Sequence, residues 1–308
     1  MPLIIVITIL FVLEFLYFKI AEIYNIVDKP NHRSAHTEIT LRGGGVIYFF
    51  AFILLTVMMI SKNIIIPNFL NFSIGFLIIS IISFLDDIVD LSSKIRLLFH
   101  FISVSFLLYF INAFQILPWW SIPLLYFFII GVLNAYNFMD GINGMTGLYS
   151  LVSLGTLWYL NNDIINFTID SFIVYPIIAT IVFLFFNFRK KAKCFMGDIG
   201  SMGIAFWILT LLGLLIFKSK ELKYLLLFTV YGIEVVYTIF ERLKLKENVF
   251  QAHRRHLYQL LVNEKKISHL VVSSFYALIQ LIINFFGVLH VHFDYQVFTI
   301  SCFIEHWF

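Results

Sequence analysis

The feature that most constrains this chain is a succession of apolar runs, each close to twenty residues long, separated by short polar segments. The 308 residues are 61% hydrophobic and only 13% charged, whereas soluble globular proteins contain about 25% charged residues. In lipid, a chain satisfies its backbone hydrogen bonds only as helices or as a closed barrel, and long unbroken apolar runs favour helices. We therefore predict an all-α polytopic membrane protein with a single integral membrane domain over residues 1–308.

The apolar runs predict ten transmembrane helices, with an eleventh as the alternative. The ten predicted spans cover residues 3–20, 45–60, 72–85, 97–113, 121–138, 145–160, 171–187, 201–217, 222–240 and 270–287. The alternative eleventh span, 289–308, contains histidines and acidic residues that are unfavourable in lipid. No separate soluble domain and no internal repeat is visible.

The distribution of positive charge predicts the orientation of the bundle. Of the 21 Lys and Arg residues, 17 fall in four predicted loops on one side, about 19–45, 86–97, 188–200 and 241–268. The positive-inside rule places this side in the cytoplasm, together with the segment 134–146. The first apolar run has no preceding basic residue and no small-residue cleavage pattern, so we expect a retained span rather than a signal peptide.

The first of these loops carries Arg42 followed by three glycines, 43–45. Consecutive glycines let the backbone approach a ligand closely, and a neighbouring basic side chain favours a phosphate. A flexible hinge leading into the second span explains the same residues. The sequence leaves both interpretations open.

Carboxylates are concentrated at the borders of the predicted spans. Asp86 and Asp87 end the third span, Asp140 follows the fifth, and Asp198 precedes the eighth. Asn137, three residues before Asp140, adds an amide oxygen. Clustered carboxylates repel one another unless a cation or a proton neutralises part of their charge. Mg²⁺ prefers oxygen ligands and often bridges carboxylates to substrate phosphates. The alternatives are a solvated helix end for the aspartate pair and a simple hairpin turn for the segment that contains Asn137.

Two local expectations concern helix ends. If the third helix continues past Asp87, then Asp86 and Asp90 lie on one helix face, because they are four residues apart. Ser201 is placed to cap the next helix, whose N-terminus would favour an anion.

The longest predicted cytoplasmic loop contains His253, Arg254, Arg255 and His256 in succession. Two histidines and two arginines suit phosphate binding and proton transfer. A cluster that served only to orient the protein in the membrane would explain the arginines but not the histidine pair.

Five polar segments have now been described, those around Arg42, Asp86, Asp140, Asp198 and His253. In this order they resemble the polyprenyl-phosphate N-acetylhexosamine-1-phosphate transferases, the superfamily of the MraY, WecA, TagO and WbpL-type enzymes. The resemblance extends from about Lys29 to Gln259. It implies a multi-pass enzyme of the bacterial inner (cytoplasmic) membrane with its active site on the cytoplasmic face. There, undecaprenyl phosphate would attack a UDP-N-acetylhexosamine or a 6-deoxy derivative, releasing UMP and initiating O-antigen or other cell-envelope polysaccharide synthesis.

The resemblance also implies the partners and the roles of individual residues. The expected cofactor is Mg²⁺, with Mn²⁺ as a substitute; the partners are the two substrates and membrane lipid but not nucleic acid, and a homodimer is left open. The implied metal ligands are Asp198 and Asn137. The implied catalytic residues are Asp86, Asp87, Asp140, His253 and His256. The implied substrate-binding residues are Arg42, Asn143, Phe195, Arg254 and Arg255.

Within the substrate-binding set, Phe195 matches an aromatic residue that stacks on uracil, and the amide oxygen of Asn143 would accept from the uracil N–H. The last loop departs from MraY-type sequences, which have three successive histidines where this chain has His253-Arg-Arg-His256. This departure argues against a muramyl-pentapeptide substrate, and the His-Leu-Tyr-Gln ending is closer to WbpL-type enzymes. The first loop also lacks the usual prolines of the family, with Ile39 and Leu41 around Thr40.

A transporter or flippase for an anionic lipid or solute is the main alternative, because intramembrane acids and basic loops also occur in transporters. A transporter, however, is expected to place polar residues near the middle of the bilayer and often contains repeated halves. Neither feature is visible here. An inactive family member is a second alternative, and the retained acidic and histidine residues argue against it.

Overall fold

The computed structural model describes residues 2–30, 38–248 and 254–290, and within these ranges the chain is almost entirely helical. The helices are α1 (Leu3–Ile23), α2 (Ile47–Ser61), α3 (Phe69–Val89), α4 (Ser93–Phe110), α5 (Ala113–Ile116), α6 (Ile122–Met139), α7 (Met145–Tyr159), α8 (Asp170–Asn187), α9 (Gly197–Ser219), α10 (Thr229–Lys244), α11 (Leu257–Asn263) and α12 (His269–Ile283). Short 3-10 segments precede α2, α6 and α10, and π-helical turns extend α7 and α12. The only strands in the described ranges, β1 (Val27–Asp28) and β2 (Thr40–Leu41), pair antiparallel.

Nine helices of the described part are long and apolar enough to cross a membrane, which confirms the prediction of an all-α polytopic membrane protein. The predicted span at 145–160 is also helical, as α7, but α7 has only 15 residues and is not among the nine. Its Ser150 and Ser153 are buried inside the bundle. Of the alternative eleventh span, residues 291–308 lie outside the described residues.

The core of the bundle is formed around α9. In its apolar stretch 83% of the residues are buried inside the protein, against 28% for α1. Trp207 of α9 packs against Phe72 and Phe76 of α3, and its indole N–H donates to the carbonyl oxygen of Phe172 at 2.9 Å. Such dense aromatic packing holds a helix in one position. The N-terminus of α9 is therefore held firmly within the bundle.

The predicted cytoplasmic loops meet at one end of the bundle. Arg42 of the first loop contacts Asp87 of the second and Asp198 of the fourth. Segments predicted on the other side meet as well, since the Asn68 amide donates to the Asn112 side chain at 3.0 Å. The grouping of loops thus agrees with the predicted topology, while the assignment of this end to the cytoplasm stays a prediction.

Two expectations about helix ends are wrong. Helix α3 ends at Val89, and Asp90 adopts a left-handed conformation (φ 55°), so Asp90 does not continue the face of Asp86. Helix α9 begins at Gly197 rather than at Ser201, which lies inside the helix and cannot cap it. Helix α6 ends at Met139, close to the predicted end at residue 138, so Asn134 and Asn137 lie in its last turns and the turn itself begins at Asp140.

Candidate active site

The centre of the site is Arg42, which bridges two carboxylates from different helices. Its Nε lies 2.7 Å from Oδ1 of Asp87, at the end of α3, and its Nη2 lies 3.2 Å from Oδ1 of Asp198, in the first turn of α9. The hydroxyl of Tyr17 on α1 donates to the backbone carbonyl of Arg42 at 2.6 Å and so helps to fix the position of this residue. Arg42, predicted to bind substrate, thus first serves to hold the two aspartates together.

Asp87 caps the N-terminus of α9 from the neighbouring helix. Its carboxylate oxygens accept the backbone N–H of Asp198 at 2.8 Å and of Ile199 at 3.0 Å. The amides of a first helical turn have no partner within their own helix, so a carboxylate is a strong acceptor for them. Gly197 (φ 72°) makes room for this contact, because a Cβ there would lie 2.6 Å from the Asp87 carboxylate. This cap replaces the one predicted from Ser201.

A second arginine, Arg96 on α4, was not predicted as a site residue. Its Nη1 lies 3.0 Å from Oδ2 of Asp86 and 3.9 Å from Oδ2 of Asp198. The other oxygen of Asp86 accepts the N–H of Leu91 at 2.7 Å. The sequence contained one signal for Arg96, a basic residue shortly after the aspartate pair, but that charge was interpreted only as a topology determinant.

The carboxylates of this cluster outnumber its guanidinium groups. Three carboxylates, those of Asp86, Asp87 and Asp198, face the two guanidinium groups of Arg42 and Arg96. If all three acids are ionised, one negative charge is left over. Such a cluster can accept a further cation.

The donor chemistry fits Mg²⁺ when phosphate supplies the remaining ligands. The amide nitrogen of Asn137 donates to Ser201 at 3.3 Å, and its side chain lies beside the carboxylate of Asp198. Within the described ranges, no group of three or more His, Cys, Asp or Glu residues is arranged to hold a metal alone. Mg²⁺ is commonly bound by one or two carboxylates together with substrate phosphates rather than by a protein cage. Asp198 and Asn137 are the residues placed to provide the protein ligands.

Asp140 lies at the C-terminal end of α6, one turn after Asn137. Burial, with a smaller contribution from the charge of Asp198, raises the pKa of its carboxyl from the usual 3.8 to about 7, although the Thr146 hydroxyl and Arg42 lower it. Asp140 thus lies close enough to Asp198 and Arg42 to be influenced by their charges, and its role in orienting the nucleophile stays a prediction.

The glycine block does not form a phosphate-binding loop. The N–H of Gly44 donates to the carbonyl of Phe195 at 2.8 Å, and the N–H of Gly45 donates to Met196 at 2.9 Å. A Cβ on Gly45 would lie 2.1 Å from the Cα of Gly200. The glycines therefore allow the first loop to pack directly on the start of α9. This packing differs from both interpretations of the sequence, a loop that contacts a ligand and a flexible hinge.

The two residues predicted to contact uracil, Phe195 and Asn143, are both hydrogen-bonded within the protein. Phe195 is half-buried, and its backbone N–H donates to Leu41 at 2.7 Å. Asn143 is only 4% exposed, its amide nitrogen donates to the Arg189 carbonyl at 2.8 Å, and its own carbonyl accepts from Ser273 at 2.7 Å. Asn143 therefore joins three segments of the chain, and its role in binding uracil stays a prediction.

The last loop is only partly described. His253 lies outside the described residues. Arg254 is exposed, and Arg255 forms an ion pair with Glu247 at 2.5 Å. His256 is buried next to α10, where its Nδ1 lies 3.2 Å from the Thr238 hydroxyl oxygen. The structure therefore brings together Arg42, Asp86, Asp87, Asn137 and Asp198, while His256 packs near Phe138 at the end of α6.

Comparison with known proteins agrees with the motif analysis. Residues 69–216 match the model of glycosyl transferase family 4, a stretch that contains every aspartate of the cluster. The chain is 29% identical over 257 residues to a probable undecaprenyl-phosphate N-acetylglucosaminyl 1-phosphate transferase of Bacillus subtilis (strain 168), covering 77% of this chain and 69% of that protein.

Two further relatives show how the similarity is distributed. An undecaprenyl-phosphate alpha-N-acetylglucosaminyl 1-phosphate transferase of Yersinia pestis is 30% identical over 227 residues, covering 65% of this chain and 60% of that protein. A phospho-N-acetylmuramoyl-pentapeptide-transferase of Lactobacillus helveticus (strain DPC 4571) is 40% identical, but over only 78 residues, about a quarter of each chain. The similarity to the first two proteins is long and moderate, whereas that to the third is local.

Proposed function

Since this chain belongs to the polyprenyl-phosphate N-acetylhexosamine-1-phosphate transferase superfamily, we propose that it transfers an N-acetylhexosamine-1-phosphate, or a 6-deoxy derivative, from a UDP-sugar to undecaprenyl phosphate. UMP is the second product. The observation that supports this most directly is the convergence of Asp86, Asp87 and Asp198 on two arginines at one end of the bundle. Three separate polar blocks of the sequence contribute to that one cluster.

The chemistry asks mainly for positioning and charge compensation, because phosphoryl transfer requires little covalent participation by the protein. An oxygen of the lipid phosphate attacks the sugar-bound phosphorus, a new phosphoanhydride bond forms, and the bond to UMP breaks. Mg²⁺, held by Asp198 and Asn137, would neutralise the diphosphate when bound. Arg42 and Arg96 are positioned to keep the metal-binding and lipid-phosphate sides of the site together.

The finer assignments follow the same proposal. Asp86 and Asp87 lie at the position of the lipid phosphate, and Asp140 orients the nucleophile. Because the long relatives are N-acetylglucosaminyl 1-phosphate transferases by name, an N-acetylglucosamine donor is the first to test. The excess of Lys and Arg on this side supports a cytoplasmic active site in the inner membrane, and the product would initiate an O-antigen or other envelope polysaccharide.

The test is a direct assay of both products. Membranes containing the protein are incubated with undecaprenyl phosphate, Mg²⁺ and a panel of UDP-N-acetylhexosamines, and UMP and the lipid-linked sugar are measured. We expect both products, in equal amounts, and neither after chelation of the metal. The Asp198→Ala variant should release no UMP although it inserts normally, while Asp163→Ala, at an exposed position, should behave as wild type.

The same assay separates this function from transport. A flippase or solute transporter would move its substrate without producing UMP. Absence of UMP with every donor, or near-normal turnover by Asp198→Ala, would refute the proposed reaction.

A further inference from the structure

One carboxylate outside the cluster, that of Glu234 on α10, is bound to the last polar loop and to α12. One oxygen, Oε1, accepts the backbone N–H of Leu257 at 2.5 Å, and Oε2 accepts the hydroxyl of Tyr276 at 2.8 Å. A carboxylate within a membrane-length helix is unfavourable unless it is well hydrogen-bonded. Here its bonds hold the first residue of α11.

The same face of α10 also holds the His256 ring. Its Nδ1 lies 3.2 Å from the Thr238 hydroxyl oxygen and 3.8 Å from Oε1 of Glu234, and the residue is 3% exposed. Thr238 and Glu234 are one helical turn apart, so they form a single wall along one edge of the imidazole. The Nε2 atom lies on the opposite edge of the ring.

The next contact connects His256 with the end of α6. The Tyr258 ring stacks on that of His256, with centroids 5.8 Å apart and planes within 16°. The Tyr258 hydroxyl donates to the carbonyl of Phe138 at 2.8 Å, and Gly141 leaves space for it, since a Cβ there would lie 2.1 Å from that oxygen. Phe138 immediately follows Asn137, so the contact reaches the segment that carries two of the predicted site residues.

We propose that Glu234 is a positioning residue, which holds His256 and Tyr258 against the C-terminal end of α6 so that the last loop acts on the same substrate as the aspartate cluster. This inference rests on the proposed function, because it concerns the transferred phosphoryl group. A carboxylate fixed on α10, rather than the loop itself, sets the place of the histidine.

The experiment compares four purified proteins: wild type, Glu234→Gln, Glu234→Asp and Glu241→Gln. Glu241 lies on the same helix two turns later, and its variant controls for the loss of one charge from α10. Initial rates of UMP release are measured against UDP-sugar concentration, so that kcat and KM are obtained separately.

We expect Glu234→Gln to lower kcat by about tenfold while KM for the UDP-sugar changes by less than about threefold, because a displaced histidine loses interactions made mainly in the transition state. Glu234→Asp keeps the charge and should recover part of the lost kcat. Glu241→Gln should match wild type. A purely structural role would lower the yield of folded protein without this separation of kcat from KM.

Wild-type kcat in Glu234→Gln overturns the inference, and so does a change confined to KM. If Glu234→Gln does not fold, Thr238→Val removes only the hydroxyl beside Nδ1 and should lower kcat about threefold; an unchanged kcat there is equally decisive. If wild type releases no UMP at all, the proposed function fails. Trypsin cleavage after Arg254 and Arg255 then tests separately whether Glu234 holds the last loop in place. Faster cleavage in Glu234→Gln than in Glu241→Gln supports it, and equal rates overturn it.

Discussion

The two ends of α4, α6 and α9 are built on opposite principles. At one end these helices carry Arg96, Asn137 and Asp198, whose polar groups meet at hydrogen-bonding or ion-pair distances. At the other end the same helices line a partly open cavity of about 400 Å³ with an almost wholly apolar lining that includes Leu107 and Leu212. At the polar end the contacts depend on the direction and distance of hydrogen bonds and ion pairs. At the apolar end the side chains line a cavity and have no directional contacts to keep.

The comparison teaches where this protein should tolerate change. Directional contacts between buried charges lose much of their value when one partner shifts or disappears. Apolar contacts beside an open cavity can rearrange at small cost. Substitutions of similar size should therefore have very different effects at the two ends.

The largest effect is expected for Asp87→Asn. An amide keeps the size of the side chain but replaces one oxygen that accepts from α9 and removes the charge facing Arg42, so the first turn of α9 should shift. We expect UMP release to fall at least about a hundredfold, the size of effect seen when a preorganised electrostatic contact is lost. Asp90→Asn, at an exposed left-handed position that asparagine readily adopts, should keep normal activity.

Gly45→Ala adds a single methyl group at the polar end. The new Cβ would lie 2.1 Å from the Gly200 Cα and 2.7 Å from the Met196 carbonyl oxygen, so the backbone of the first loop must move away from α9. We expect a stability loss of about 3 kcal/mol, seen as a lower Tm in detergent and reduced turnover. Gly131→Ala, whose Cβ would meet nothing within 4 Å, should be neutral or slightly stabilising. Equal Tm values for the two variants would contradict the close packing.

Arg42→Lys keeps the positive charge but loses the planar guanidinium group, which can contact two carboxylates at once. The guanidinium uses separate nitrogens for Asp87 and Asp198, whereas one ammonium group cannot reproduce both contacts in the same geometry. We expect kcat to fall about tenfold, or roughly 1.4 kcal/mol, with the protein still folded. Arg189→Lys, at a residue whose Nε–H donates to the Phe185 carbonyl, should leave turnover unchanged. Equal kcat values would show that Arg42 acts only through its charge.

The smallest effect is expected at the apolar end, for Leu212→Phe. Leu212 lines the cavity, so an aromatic ring can extend into existing space, and both Tm and UMP release should stay close to wild type. Leu211→Phe makes the same change at a fully buried neighbour that does not line the cavity, and overpacking there should cost about 1–3 kcal/mol. If both variants are equally destabilised, the cavity does not provide usable room.

The sequence predicted the helical membrane fold more reliably than the geometry of the candidate site. Apolar runs follow directly from the cost of exposing backbone to lipid, so the spans could be located. The polar blocks that contribute Asp86, Asp87 and Asp198 were also recognisable. What the linear pattern could not show is that Asp87, more than a hundred positions earlier, provides the helix cap that had been attributed to Ser201.

Residues that act through pairing across the fold were missed for the same reason. Arg96 and Glu234 look like an ordinary loop charge and an isolated acid of a span, and only their contacts with Asp86 and Leu257 show what they do. The glycine block was recognised as unusual, but its cause is a close approach to Gly200, a residue in another block. One sequence has no information about which distant residues face each other.

The cap that Asp87 places on α9 links assembly of the polar cluster to assembly of the helix bundle. Until α3 docks beside α9, the first amides of the most buried helix stay unsatisfied at the membrane boundary. Docking of α3 against α9 would then satisfy these amides and bring Asp87 to Arg42 in the same step.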